Sequence, residues 1–166
     1  MLFHAHADPD EPCCISPGAR SDYIEFSGGE NIGRGLLPVA IGQISLEHVI
    51  AANPDVYIAT GGKYSTGGGV RLGPGADPQT AKDGLRTLME TGYRGQLDAI
   101  RTGRAHALWH GLLATPLNIL ALEAMAKWFR PERFETVDPA ETLQQINARY
   151  LALPVDGALW VDHVGP

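Results

Sequence analysis

His4, His6 and Asp8 are the residues whose types and spacing most readily suggest chemistry. If residues 1–7 are extended, alternate side chains project to one face. Two imidazoles and a carboxylate so placed can hold a zinc ion that activates water. The competing reading puts one histidine in the core and the other at the strand-end loop. For His4, nearer the strand middle, the core reading is favoured. Cys13 and Cys14 are adjacent, with Cα atoms ~3.8 Å apart, whereas disulfides prefer ~4.4–6.8 Å. They read as free thiols, as a strained vicinal bridge, or as partners of cysteines outside this chain. Gly61-Gly62 and Gly67-Gly68-Gly69 fit neither G-x-G-x-x-G nor G-x-x-x-x-G-K-[ST], so they read as a flexible loop and not as a phosphate cradle. No G-x-S-x-G elbow is present. Glu47, Asp98 and Glu123 are scattered carboxylates, read as solvated helix faces. No catalytic centre emerges, and neither a resident metal nor a cofactor is expected.

These residues need elements to position them. Met1–Ala7, Val56–Ala59 and Ala105–Trp109 are short continuous apolar runs, the pattern of strands covered on both faces. Helices alternate with them. Ser45 is an N-cap for a helix expected to bury Leu46, Val49 and Ile50. Asp77-Pro78 opens a helix with Ala81, Leu85, Leu88 and Met89 on one face. Thr115-Pro116 repeats the device ahead of a stripe of Leu117, Leu120, Ala121, Met125 and Trp128. Asp138-Pro139 starts a last helix, expected to bury Leu143, Ile146 and Tyr150. Short helices are expected over Ser21–Phe26 and around Gln96–Arg101, and residues 31–44 resist assignment. The alternation predicts an α/β three-layer sandwich with a mainly parallel sheet. Ligand contacts in such a fold gather after the carboxyl ends of strands, here in loops 8–20, 60–75 and 110–115.

The 166 residues fit one domain and are too few for a (β/α)8 barrel, which needs ~250. Thirteen basic and 19 acidic residues give a net charge of −6, and there is no Lys/Arg run. Such a chain is a poor nucleic-acid or anionic-membrane binder. No stretch approaches the ~18–20 apolar residues of a membrane span, and no signal-peptide pattern opens the chain. The direct start on a strand leads to the expectation of a piece of a longer protein.

One ordered set of segments carries a resemblance. Gly42–Ile58, with its Ser45-Leu46-Glu47 start and Asn53-Pro54-Asp55 stop, resembles the "sLE-x-v-i-a-x-n-P-D-x-y-I" segment of periplasmic substrate-binding proteins serving ABC importers of iron–siderophore complexes, haem and vitamin B12. Phe26–Gly33, Gly103–His110, Pro116–Trp128 and the ending through Trp160-Val161-Asp162 match in the same order. The His4-x-His6-x-Asp8 run is also similar to the metallo-β-lactamase hydrolase motif. Pro9 replaces the histidine that should follow the aspartate, and no strands precede the run.

The first resemblance implies a two-lobed, helix-linked binding protein of which residues 1–166 are the single C-terminal lobe, with the N-terminal lobe, linking helix and signal peptide absent from the chain. It implies a periplasmic, non-enzymatic solute-binding component for a ferric siderophore, haem or related metal chelate. Ligand contacts are expected from His4, His6, Cys13, Cys14, Lys63, Tyr64, Trp109 and His110, with His6 or His110 able to ligate haem iron. Glu47 is implied to dock on the ABC permease. The expected partners are therefore that permease, the chelate and the protein's own N-terminal lobe, with no nucleic acid. The alternative is a metal-dependent hydrolase built on His4, His6 and Asp8. A third reading is a free-standing α/β interaction module.

Overall fold

The computed structural model describes residues 1–8, 15–17, 21–37, 41–63 and 69–163. Four strands form the central sheet: β1 (Leu2–His4), β4 (Tyr57–Gly61), β5 (Ala105–Trp109) and β6 (Trp160–Asp162), in that spatial order. The first three are parallel, with Leu2 beside Tyr57 and Tyr57 beside Ala105. β6 joins the outer edge antiparallel, Leu108 opposite Trp160. A separate antiparallel ribbon pairs β2 (Ile15–Pro17) with β3 (Ile41–Gln43). It lies in stretches that carry no strand pattern of their own, and its partners are 26 positions apart at the Ser16–Gly42 pair.

Side-chain alternation along the strands supplies two cores. Leu2, Tyr57, Ala59, Ala105, Ala107 and Val161 face one way, toward α2 (Leu46–Ala52), α3 (Pro78–Glu90) and α4 (Asp98–Arg101). Phe3, Ile58 and Leu108 face the other, toward α1 (Ser21–Phe26) and α5 (Asn118–Phe129), with α6 (Pro139–Tyr150) packed more loosely outside. The chain is thus an α/β three-layer sandwich with a mainly parallel sheet. Among the described residues, no helix is long and apolar enough to cross a membrane.

The helix starts follow local chemistry. Ser45 Oγ accepts the His48 N–H at 3.2 Å, and the Asp77 carboxylate accepts the Thr80 N–H at 2.7 Å. Asp138 accepts the Ala140 N–H at 2.9 Å. Thr115 does not cap α5. Its hydroxyl donates back to the Leu112 carbonyl at 3.3 Å, because residues 110–114 form a 3-10 turn and α5 begins only at Asn118. Ile50 and Tyr150 were expected in the core and are exposed, at 43% and 76%. Leu46, Leu143 and Ile146 are only half-buried, so α2 buries Val49 alone of its expected stripe and α6 none, because both helices pack on the outside of the sandwich by one narrow edge. The first strand is also shorter than expected, ending at His4.

The chain closes by stitching its C-terminal end to an earlier loop. Gly73 N–H donates to Ala158 O at 2.8 Å, Gly75 N–H to Asp156 O at 3.0 Å, and Ala158 N–H to Ala76 O at 2.9 Å. Trp109 N–H donates to Leu159 O at 2.8 Å. Loop 69–76, the end of β5 and the approach to β6 are therefore one bonded unit.

Leu85 and Ile50 look alike in the sequence but not in the fold. Leu85 is fully buried in α3, so Leu85→Ala should cost ~2–5 kcal/mol by urea unfolding. Ile50→Ala should stay within ~0.5 kcal/mol. Equal losses would contradict this placement.

Candidate functional site

The carboxyl ends of β1, β4 and β5 meet at one edge of the sheet, and their following residues form one cluster. β1 stops because residue 6 turns left-handed: His6 has φ 53°. Its N–H donates to Thr60 Oγ1 at 2.8 Å, tying the turn to β4. The His6 ring is exposed and lies against the His110 ring, with centroids 4.9 Å apart and planes at 56°. His110 stands in the 3-10 turn after β5, and its Nδ1 is 2.7 Å from the Gly61 carbonyl. Lys63 is exposed two residues beyond Gly61.

Glycines make the close approaches possible. A Cβ on Gly61 would overlap the Val70 carbonyl oxygen, so only glycine lets loop 69–72 fold back across the end of β4. A Cβ on Gly62 would overlap the His110 ring. Trp109 is half-buried, and a Cβ on Gly73 would sit 3.2 Å from its Nε1. Val70 and Leu72 are fully buried and Arg71 between them is exposed, so the loop's alternation turns a cation outward.

The structure brings together His6, Lys63, Trp109 and His110 of the expected ligand residues. Cys13, Cys14 and Tyr64 lie outside the described residues. Glu47 is exposed in the first turn of α2. His4 requires correction. It is fully buried, so its side chain offers no surface to a ligand. It also shares no face with His6, because the left-handed turn breaks the strand alternation on which that pairing depended. Among the described residues no three His, Cys, Asp or Glu side chains converge as a metal site. The site expected for a His4-x-His6-x-Asp8 hydrolase is therefore not assembled by these residues.

His4 instead belongs to a buried polar cluster that the sequence did not reveal. Its Nδ1 is 2.6 Å from the Tyr57 hydroxyl. Arg94, only 1% exposed, donates from Nε to the same hydroxyl at 3.4 Å and from Nη2 to the Asp8 carbonyl at 2.8 Å. Arg94 thereby ties the segment after β1 to the core. Its surroundings, Gly92-Tyr93-Arg94-Gly95, read as an ordinary turn, and nothing local marks burial.

His106 is also apart from the site. It lies toward the opposite end of β5, stacked on Trp128 at 4.3 Å and bonded through Nδ1 to Asp162 at 2.7 Å. Burial lowers its pKa despite Asp162. A concavity of about 660 Å³ opens at the other sheet edge, among Met1, Asn31, Arg34, Asp55, Arg104 and Arg130. α1, α2 and α5 all end there, so its arginines face the negative ends of helix dipoles.

No family model matches the chain, and no curated protein matches it. Solved structures do. The TroA-like periplasmic binding protein FepB from Veillonella parvula aligns with a TM-score of 0.88 at 22% identity, over 98% of this chain and 48% of its own. A periplasmic solute binding protein from Veillonella parvula aligns with a TM-score of 0.60 at 14% identity, over 93% of this chain and 43% of its own. A periplasmic heme binding protein from Pseudomonas aeruginosa aligns with a TM-score of 0.56 at 16% identity, over 98% and 47%. The chain spans about half the length of these structures and has the fold of one lobe of a TroA-like periplasmic binding protein.

His4 makes stability pH-dependent. Burial, and then the positive charge of Arg94, lower its pKa from 6.5 to about 3. Between those values the unfolded chain takes up a proton that the folded chain refuses. The His4 contribution is therefore complete above about 6.5 and is lost as pH falls, by at most ~1.4 kcal/mol per pH unit. His106, lowered in the same direction, adds to the loss. The melting temperature should drop steadily from pH 7 to pH 4, and His4→Gln should flatten that slope. An unchanged slope in the variant would remove His4 as its source.

Proposed function

We propose that the chain is the C-terminal lobe of a periplasmic solute-binding protein that captures a ferric siderophore, haem or related metal chelate and delivers it to an ABC permease. The observation that carries the reading is the one-lobe match over 98% of the chain and 48% of a TroA-like binding protein. His6, Lys63, Trp109 and His110 gather where an α/β lobe meets its ligand. The cluster forms a single exposed edge, which suits one wall of a cleft. The second wall is an N-terminal lobe joined by a linking helix, outside these residues.

The chemistry of that edge fits a chelate. Lys63 and Arg71 are cations suited to an anionic complex. Trp109 offers a flat face to an aromatic or porphyrin surface. Binding and release need no bond making in the ligand, so the protein works as a carrier and not as an enzyme. Glu47, at the exposed start of α2, is the contact for permease arginines. Such rim pairs set registry and encounter rate more than affinity.

A wall alone should bind poorly. Hemin titrated into the 166-residue chain should bind at least about tenfold more weakly, ~1.4 kcal/mol, than into a longer product carrying both lobes. Equal affinities would sink the two-lobe reading.

Docking is tested separately. In the two-lobed protein, Glu47→Arg should abolish uptake into vesicles reconstituted with the permease while leaving hemin affinity unchanged. A first-turn charge is worth only ~0.3–1 kcal/mol, so the melting temperature should barely move. Normal uptake would leave Glu47 as a simple helix-start residue.

A further inference from the structure

Resting on the reading of the strand-edge cluster as one wall of a binding cleft, we infer that Arg94 is a positioning residue for that wall. Its buried guanidinium holds the turn after β1 in the geometry that presents His6. It therefore governs affinity for cargo beyond its part in stability, and it does so through the turn and not by touching the cargo.

Burial is the first observation. Arg94 is 1% exposed and, among the described residues, is the largest side chain buried to that degree. Taking a cation out of water costs far more than burying an apolar side chain of like volume. Methionine would fill the same space without that cost. What arginine adds is a planar, rigid fork of donors. Nη2 donates to the Asp8 carbonyl at 2.8 Å, Nη1 to the Thr91 carbonyl at 3.4 Å and Nε to the Tyr57 hydroxyl at 3.4 Å. The three oxygens belong to three separate segments: the residues after β1, the end of α3, and β4.

The neighbouring residues seat the fork. Gly92, at φ 66°, supplies the turn that leads out of α3 toward Arg94. The Tyr93 ring backs the guanidinium, with Cζ 5.1 Å from the ring centroid. The fork is therefore held from its own side, and its shortest bond is the one that reaches Asp8.

Asp8 lies two residues after His6. His6 is left-handed at φ 53°, and its N–H donates to Thr60 Oγ1 at 2.8 Å. A residue other than glycine keeps such a backbone where its surroundings over-determine it. Thr60 grips the middle of the turn and Arg94 grips its far end. β4 stands behind both, through Thr60 itself and through the Tyr57 hydroxyl. Without the Arg94 bond the Asp8 peptide is free to rotate, and His6 can return to an extended φ. Its ring would then leave the His110 ring, whose centroid is 4.9 Å away.

Turn geometry and cargo affinity are read separately. In the 166-residue chain, nuclear magnetic resonance follows the His6–His110 ring contact as an Overhauser effect, together with hydrogen exchange at the His6 amide. In the two-lobed protein, hemin is titrated. Arg94→Met fills the space without donors. The ring contact should vanish, and His6 amide exchange should quicken at least about tenfold. Hemin affinity should fall about tenfold. Arg94→Lys keeps the charge without the fork and should also lose the ring contact. Circular dichroism checks folding, and if Arg94→Met is unfolded Arg94→Lys decides. Leu85→Ala is the comparison, since it removes buried volume from α3 and leaves the turn's bonds alone. It should lower stability and keep both the ring contact and hemin affinity. An Arg94 that serves stability alone would make Arg94→Met behave in the same way. An intact ring contact in the folded variant overturns the inference, and so does hemin affinity unchanged within about twofold. Failure of the unaltered two-lobed protein to bind hemin overturns only the haem reading of its cargo, and the ring contact and amide exchange then decide the role of Arg94.

Discussion

The approach of the Val70 carbonyl to Gly61 is the constraint on which the cluster at the carboxyl ends of the strands depends. Any side chain at residue 61 would push loop 69–72 off the end of β4. With that loop displaced, Val70 and Leu72 would leave the core, and Gly73 would leave the flank of Trp109. The same residue's carbonyl fixes the His110 ring. A single missing Cβ therefore sets the position of a loop, an indole and an imidazole. Glycine is usually a cost in a strand interior. Here the cost sits at the strand's last residue, where regular pairing is ending anyway.

Helix polarity separates the two ends of the sheet. α3 and α5 follow β4 and β5, so they start on the side of His6 and His110 and end on the far side. The far edge holds Arg34, Arg104 and Arg130 around the 660 Å³ concavity. Those charges answer the helix carboxyl ends. The near edge has cations, Lys63 and Arg71, with no such helix ends to satisfy, and they remain available to solvent and solute. Two arginine- or lysine-bearing surfaces thus have different origins, one internal to the fold and one directed outward.

The periodic elements were legible in the sequence, since their causes are local. Ala81, Leu85, Leu88 and Met89 repeat at helical spacing, and all four are buried. Asp77 and Ser45 cap as their types dictate. What failed were inferences that needed the chain's path. The His4–His6 spacing implied a shared face only while the strand continued, and a left-handed residue ended it. Thr115 carries the chemistry of a cap, but the 3-10 turn before it took its hydroxyl. The β2–β3 ribbon and the burial of Arg94 are set by contacts remote in sequence, as between Arg94 and Asp8. The gathering of the loops after the parallel strands was readable from the α/β alternation alone. Their internal geometry, above all the bond from His110 to Gly61, was not.

The stitching of residues 156–159 to loop 73–76 and to Trp109 has a consequence for biosynthesis. β1 and β4 are synthesised well before the unit that braces the strand-end cluster is complete, because that unit needs Asp156, Ala158 and Leu159. Their partners precede them by about 50 to 85 positions, so loop-closure entropy delays these contacts relative to local helix formation. The nascent lobe therefore holds an unbraced edge until nearly its whole length is synthesised.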